Sequence, residues 1–181
     1  MTWKYLIETD QRWSSRLRLD PSRKQFFTLF AFLAHSGDSW FWLAGLAALW
    51  LAAIPAWRLR SAVMMIGIVI LAALVLLIKF TIRRQRPEGE WGAIYRSTDP
   101  HSFPSGHAAR AFMLAVLAIS LGPGWLGAVV LVWAPLVCLA RVRMGVHYVS
   151  DVVAGAFLGI LAGGVFAVIF PMAIPLFPFI F

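Results

Sequence analysis

Charge is what this sequence has least of. Only 13% of its 181 residues are Asp, Glu, Lys or Arg, where soluble domains carry roughly a quarter. Cysteine is almost missing: Cys138 stands alone in an apolar run, so no internal disulfide can form, and it reads as small core packing. No long soluble stretch carries a basic face interleaved with stacking aromatics, which argues against a nucleic-acid partner. No internal repeat or low-complexity tract is visible. What abounds is apolar side chain, 61% of the chain. A soluble domain of about 150 residues still exposes about 30% of its surface and cannot hide that much. The same figures exclude disorder, a collagen-like repeat and a disulfide scaffold. They point to a bilayer.

Charge of one sign dominates the little there is, with 16 Lys and Arg against 8 Asp and Glu and a net charge of +8. The basic residues gather at the ends of apolar runs, as anionic lipid or a phosphorylated substrate would require. Met1 to Lys24 is polar and basic with no apolar h-region, unlike a cleaved signal peptide. Phe26 to Ala34 is strongly apolar but too short to cross, and reads as an interfacial helix ended by the turn His35-Ser36-Gly37-Asp38. Five spans follow: Trp40–Ala56, Ala62–Ile78, Ala108–Leu121, Trp125–Ala140 and Val149–Phe170. Trp40, Trp42, Trp50 and Trp57 sit near the ends of the first as aromatic anchors. Several runs fall short of the roughly 20 residues a crossing needs, so neighbouring residues must extend them. Met172 to Phe181, broken by Pro175 and Pro178, is left unassigned. The expected fold is all-α: one domain over residues 1–181, a polytopic bundle of about five transmembrane helices with an N-terminal interfacial helix.

Three clusters place ionisable residues at bilayer boundaries, where such groups are usually functional. Lys79 to Arg86-Pro87 leaves the second span, Pro104-Ser105-Gly106-His107 enters the third, and Arg141 to His147 and Asp151 links the fourth to the fifth. The span order brings all three to one membrane face. His147 and Asp151, four apart, would share a face on a helix, with the carboxylate fixing the imidazole tautomer and leaving Nε2 as a nucleophile. Ser105 can cap a helix start, and Gly106 lets backbone approach an anion. His107 could donate a proton to a departing oxygen. Lys79, Arg86 and Arg141 add fixed positive donors that suit phosphate oxygens. Phosphoryl transfer needs mostly positioning and charge neutralisation, and this set supplies both. Arg83, Arg84 and Arg143 read as headgroup or orientation charges, while Arg110 lies one turn from His107, within reach of a substrate.

These clusters resemble the signature of the type 2 phosphatidic acid phosphatase family, related to vanadium haloperoxidases and bacterial acid phosphatases. That signature runs Lys-x6-Arg-Pro, then Pro-Ser-Gly-His, then Ser-Arg-x5-His-x3-Asp, and the match extends from Lys79 to Asp151. One position departs: Ala140 stands where the third motif has serine. The resemblance implies that His147 attacks phosphorus to form a phosphohistidine, with Asp151 holding it. It also implies that His107 protonates the leaving alkoxide and then activates water. Lys79, Arg86, Ser105, Gly106 and Arg141 would grip the phosphate, without metal or other cofactor. The substrate would be a lipid phosphate held among membrane lipids: phosphatidic acid, phosphatidylglycerol phosphate, a polyprenyl phosphate or pyrophosphate, or a lipid A-like phosphate.

The alternative is an anion or lipid-phosphate transporter using the same basic pocket, although no span has the mid-membrane Gly/Pro break or repeat symmetry such proteins use. Only Arg58 and Arg60 of the 16 Lys and Arg lie opposite the motif side. The positive-inside rule therefore predicts an inner-membrane protein with its site on the cytoplasmic face. Substrate choice would fall to the groove walls and to the loop bearing Glu88, Glu90, Trp91, Asp99 and His101, whose specificity is unreadable, as is oligomeric state.

Overall fold

The computed structural model describes residues 3–20, 22, 24–52, 55–88 and 99–173. Among these, seven helices and no strand are found: α1 (Trp3–Leu17), α2 (Lys24–His35), α3 (Ser39–Leu51), α4 (Pro55–Ile82), α5 (Gly106–Leu121), α6 (Gly124–Arg143) and α7 (Val149–Ala173). The expected interfacial helix and all five apolar runs appear as helices. The polar opening segment, legible only as a basic stretch, folds as the amphipathic helix α1. Glu90, Trp91 and the tail from 174 onward lie outside the described residues.

The expected runs were unequal and several were short, and the helices differ in length in the same way. Apolar stretches of 26, 20 and 24 residues in α4, α6 and α7 are long enough to cross a membrane. Helices α3 and α5 have 13 and 16 residues, about 20 and 24 Å at 1.5 Å per residue, less than the roughly 30 Å hydrocarbon thickness. Their ends are cut by polar turns that the site uses. Ser105 caps α5, its Oγ accepting from the Ala108 N–H, and Gly122-Pro123-Gly124 stops that helix at the far side.

Helix α4 is apolar all round, so both its faces have apolar surroundings. Met64, Ile68, Leu71 and Val75 form a buried stripe against α5, while Ile70, Leu74 and Leu77 stay exposed on the face a bilayer would cover. Helix α5 is the centre: Ala108, Ala109, Ala111, Met113, Leu114, Ala115, Leu117 and Ala118 are all buried. Helix α7 reaches it through Gly155, Gly159 and Gly163, spaced four apart on one face. A Cβ at Gly155 would lie 2.4 Å from the Ser105 carbonyl oxygen, and one at Gly159 would lie 2.0 Å from that of Ala109. Any side chain there forces the two helices apart.

The connectivity expected from the sequence is present. Lys79 ends α4, Gly106 starts α5, Arg141 ends α6 and Asp151 lies in the first turn of α7, all at one end of the bundle. At the other end Arg58 stacks on Trp50, Arg60 stacks on Trp57, and the Arg60 guanidinium donates to the Leu121 carbonyl that closes α5. Helices α1 and α2 lie at the motif end. The Leu19 N–H donates to the Arg143 carbonyl at 2.9 Å, and Ala34 of α2 packs into one cluster with Ala140 and Val146. Ala140, the departure from the third motif, is thus a small contact under α2.

Candidate active site

Helix ends build this site. His147 stands in the turn between α6 and α7, just before the helix that carries Asp151. The four-residue spacing had suggested one shared helix face; instead α7 begins at Val149 and Tyr148 is its cap. The Asp151 carboxylate turns back to accept the Tyr148 N–H at 2.9 Å, as an acidic residue does at the third position of a capping box. Its Oδ2 also faces His147 Nδ1 at 3.5 Å. Gly145 makes the turn possible: its φ is +67°, and a Cβ there would meet the Arg18 side chain at 2.6 Å.

The state of the His147 ring follows from its neighbours. Arg86 NH1 lies 3.3 Å from His147 Nε2 while donating to the Val146 carbonyl at 2.9 Å. A guanidinium only donates, so Nε2 is the accepting nitrogen, while Nδ1 faces Asp151 at 3.5 Å without a hydrogen bond. Burial, then the charges of Arg141, Arg86 and Lys79, hold the His147 pKa well below the ordinary imidazole value. The ring is therefore neutral at pH 7, with its lone pair aimed at the cations.

Those cations are buried: Lys79, Arg86 and Arg141 are 3%, 4% and 1% exposed. Asp99 Oδ2 accepts from Lys79 Nζ and, at 2.8 Å, from Arg86 NH2. One carboxylate oxygen thus sits where two buried cations converge. Lys79 also donates to the His101 carbonyl at 3.0 Å, and Arg86 Nε to that of Asp99 at 2.7 Å.

A cavity of about 510 Å³ is lined by Lys79, Asp99, Gly106, His107 and His147, with Arg86 and Arg141 outside its lining. It therefore brings both histidines to one cavity. Its other wall is apolar, formed by Leu71, Val75 and Leu76 of α4 with Trp40 of α3. Ser105 is turned differently: its Oγ caps Ala108 and its N–H donates to the Asp151 carbonyl at 2.9 Å. Ser105 thereby ties the start of α5 to the start of α7.

Several site residues had no signal in the motifs. Arg84, read as a headgroup charge, instead donates to Asp151 Oδ1 at 2.7 Å, to Ser150 Oγ at 2.6 Å and to Asp10 Oδ2 at 2.6 Å, with Tyr148 stacked 4.1 Å away. Asp10 and Ser14 of α1 accept the Ser150 and Val149 N–H groups. Side-chain oxygens of Asp151, Ser14 and Asp10 therefore satisfy three successive N–H groups at the start of α7. The four-residue spacing of Asp10 and Ser14 put them on one face; their target could not be read. Asp38 meets His107, its Oδ1 2.6 Å from Nε2. Arg110, placed near a substrate by its spacing, donates to the Gly37 carbonyl and to Ser39 as well as lining the cavity.

A bundle that presents a neutral histidine, buried cations and a second histidine at one end, beside an apolar wall, defines a membrane-embedded phosphatase. Comparison with known proteins gives the same class. The family model of the PAP2 superfamily matches residues 59–175. The decaprenylphosphoryl-5-phosphoribose phosphatase of Mycobacterium tuberculosis is 37% identical over 137 residues, 74% of each chain. The undecaprenyl-diphosphatase of Sulfolobus acidocaldarius is 31% identical over 72% of this chain and 64% of its own. In fold, the transmembrane PAP2-type phosphatidylglycerolphosphate phosphatase of Bacillus subtilis superposes with a TM-score of 0.73 at 23% identity, covering 90% of this chain and 84% of the other. The chain belongs to the PAP2 superfamily, and it is an integral membrane protein and a phosphoric ester hydrolase.

Helix α1 belongs to the site because it holds the start of α7. Asp10→Ala leaves the Ser150 N–H and one side of Arg84 without their carboxylate. It is expected to lower stability by about 1–3 kcal/mol and to reduce turnover. Thermal unfolding and phosphate release in detergent check this; a variant matching the parent in both would show that α1 is a passive attachment.

Proposed function

We propose that the protein hydrolyses the phosphomonoester or pyrophosphate of a lipid through a phosphohistidine on His147. The single observation that carries this reading is the common cavity, with His147 Nε2 beside Arg86 and His107 on the same lining. Lys79, Arg86 and Arg141 would hold the phosphoryl oxygens, one of which replaces the Asp99 carboxylate between Lys79 and Arg86. Nε2 attacks phosphorus as the bond to the leaving oxygen breaks, and His107 gives that oxygen its proton. In the second step a water gives its proton to His107 and attacks phosphorus, and the Nε2–phosphorus bond breaks to release phosphate. Asp151 holds the Nδ1–H of His147 through both steps and offsets the charge that forms there.

The lipid's chains would lie along Leu71, Val75 and Leu76, so only the headgroup leaves the hydrocarbon. Two of the relatives above are named for polyprenyl-linked substrates, and this favours a polyprenyl-linked phosphate over a diacyl one. Transport of the anion is the less favoured reading, since those relatives are named as phosphatases.

The site's face follows from charge. Helix α1 and the residue after it bring Arg12, Arg16 and Arg18 to the motif end, leaving Arg58 and Arg60 at the other. By the positive-inside rule we assign the site to the cytoplasmic side of the inner membrane. A single cysteine introduced at Glu88 in a Cys138→Ser background should react with an impermeant maleimide only after cells are opened. Labelling in intact cells would reverse the orientation.

His147→Ala should lower phosphate release from polyprenyl and diacyl lipid phosphates by roughly a thousandfold or more, as removal of a nucleophile does, while the protein still unfolds cooperatively. Vanadate, which takes up the five-coordinate geometry of the transition state, should inhibit the parent. Unchanged turnover in the variant, or indifference to vanadate, would remove the mechanism.

A further inference from the structure

Asp38 occupies the N-cap of α3, where an aspartate ordinarily accepts an N–H from the first turn. Here its side chain makes no such bond. It turns the other way, with Oδ1 2.6 Å from His107 Nε2 and Oδ2 3.1 Å from His35 Nδ1. The turn that carries it is fixed from three helices. Arg110 of α5 donates to the Gly37 carbonyl and to Ser39, the residues on either side of Asp38. Trp42 of α3 donates to the Ser36 carbonyl and Trp133 of α6 to the Ser36 hydroxyl, each at 2.9 Å. Gly37 permits the approach, since a Cβ there would lie 3.1 Å from the His107 ring. This anchoring of a four-residue turn holds one carboxylate against one imidazole.

We propose that Asp38 is the positioning residue of the leaving-group acid: it keeps the proton on His107 Nε2, directs Nδ1 to the reacting oxygens, and stabilises the imidazolium. This inference rests on the reading of His107 as the acid. In the first step the Nδ1 proton passes to the leaving oxygen as its bond to phosphorus breaks. In the second, Nδ1 takes a proton from water as the new oxygen–phosphorus bond forms. The Nε2–H stays with Asp38 throughout. Asp38 lines the same cavity as His107, and its contribution passes through that ring, as a carboxylate's does behind any orienting imidazole.

The surrounding charges make such a partner necessary. Burial opposes an imidazolium at His107 most strongly, followed by the charges of Arg141 from α6 and of Arg110 on its own helix. Lys79, Asp99 and His147 face it across the cavity. Asp38 is the carboxylate that contacts it. Burial pushes the Asp38 pKa upward, but hydrogen bonds and charge from His107 and His35 outweigh this and hold it at about 2. The carboxylate thus stays ionised over the whole working range.

The test uses the full chain in detergent, a lipid phosphate with an alcohol leaving group, and p-nitrophenyl phosphate, whose leaving group needs no proton. Asp38→Asn should lower kcat/KM for the lipid phosphate by about a hundredfold or more, and for p-nitrophenyl phosphate by less than about tenfold. Losing the negative charge lowers the affinity of His107 for its proton, so the alkaline limb of the lipid-phosphate pH profile should move to lower pH. Asp38→Glu should keep the alkaline limb in place. Equal losses on both substrates with an unmoved limb would overturn the inference and leave the nucleophilic role of His147 intact. If His107→Ala also loses equally on both substrates, the assignment of the acid itself fails. Nitrogen-15 NMR of labelled histidine in the parent protein needs no variant to fold. Neutral His107 should be the Nε2–H tautomer, and the Nδ1–H tautomer would overturn the proposal.

Discussion

Buried positive charge at a bilayer boundary governs this structure. Lys79, Arg86 and Arg141 are each less than 5% exposed, and cations so far from water need anions close by. The chain supplies one in Asp99, whose carboxylate bridges Lys79 and Arg86. A phosphoryl group, with more oxygens and more charge, answers the same need. The cations also keep His147 neutral, because they oppose a proton on the ring they surround. One cluster of charge therefore suits an anionic ligand and keeps a proton off the His147 ring.

The remaining polar groups keep that cluster in register. Asp151, Arg84, Asp10 and Ser14 form a continuous hydrogen-bonded set joining α1, the end of α4 and the start of α7. The turn between α2 and α3 does the same for His107, bolted by Arg110 and two tryptophans. The apolar part of the fold makes these alignments possible. Gly155 and Gly159 let α7 approach the backbone of α5, so Ser105 can reach the Asp151 carbonyl and set both helix starts at one depth.

Much of this was legible in the sequence, and the reason is physical. Long apolar runs have few ways to satisfy their backbone in lipid, so hydropathy located all five core helices. Residues within Lys79–Arg86, Ser105–His107 and Arg141–Asp151 lie next to one another in the chain, and span order alone sends them to one face. Asp38, Arg84 and Asp10 were out of reach because nothing in the chain around them points to a partner. Their partners lie 69, 67 and 74 residues away and meet them only through packing. The helix start at Val149 agrees with the sequence reading, but His147 lies before it and shares no helix face with Asp151, since the three-residue spacing from Tyr148 to Asp151 is that of a cap. Helix α1 escaped notice because its hydropathy is low, and its Asp10–Ser14 face was the only sign that it docks.

Phosphorus bonded to the imidazole during turnover tests the whole arrangement most directly. Brief reaction with a lipid carrying a radiolabelled phosphate, followed by an alkaline quench, should leave an alkali-stable, acid-labile label on the protein that maps to His147. A label on another residue would contradict the account. So would the absence of any label while oxygen from water enters the phosphate in a single direct displacement.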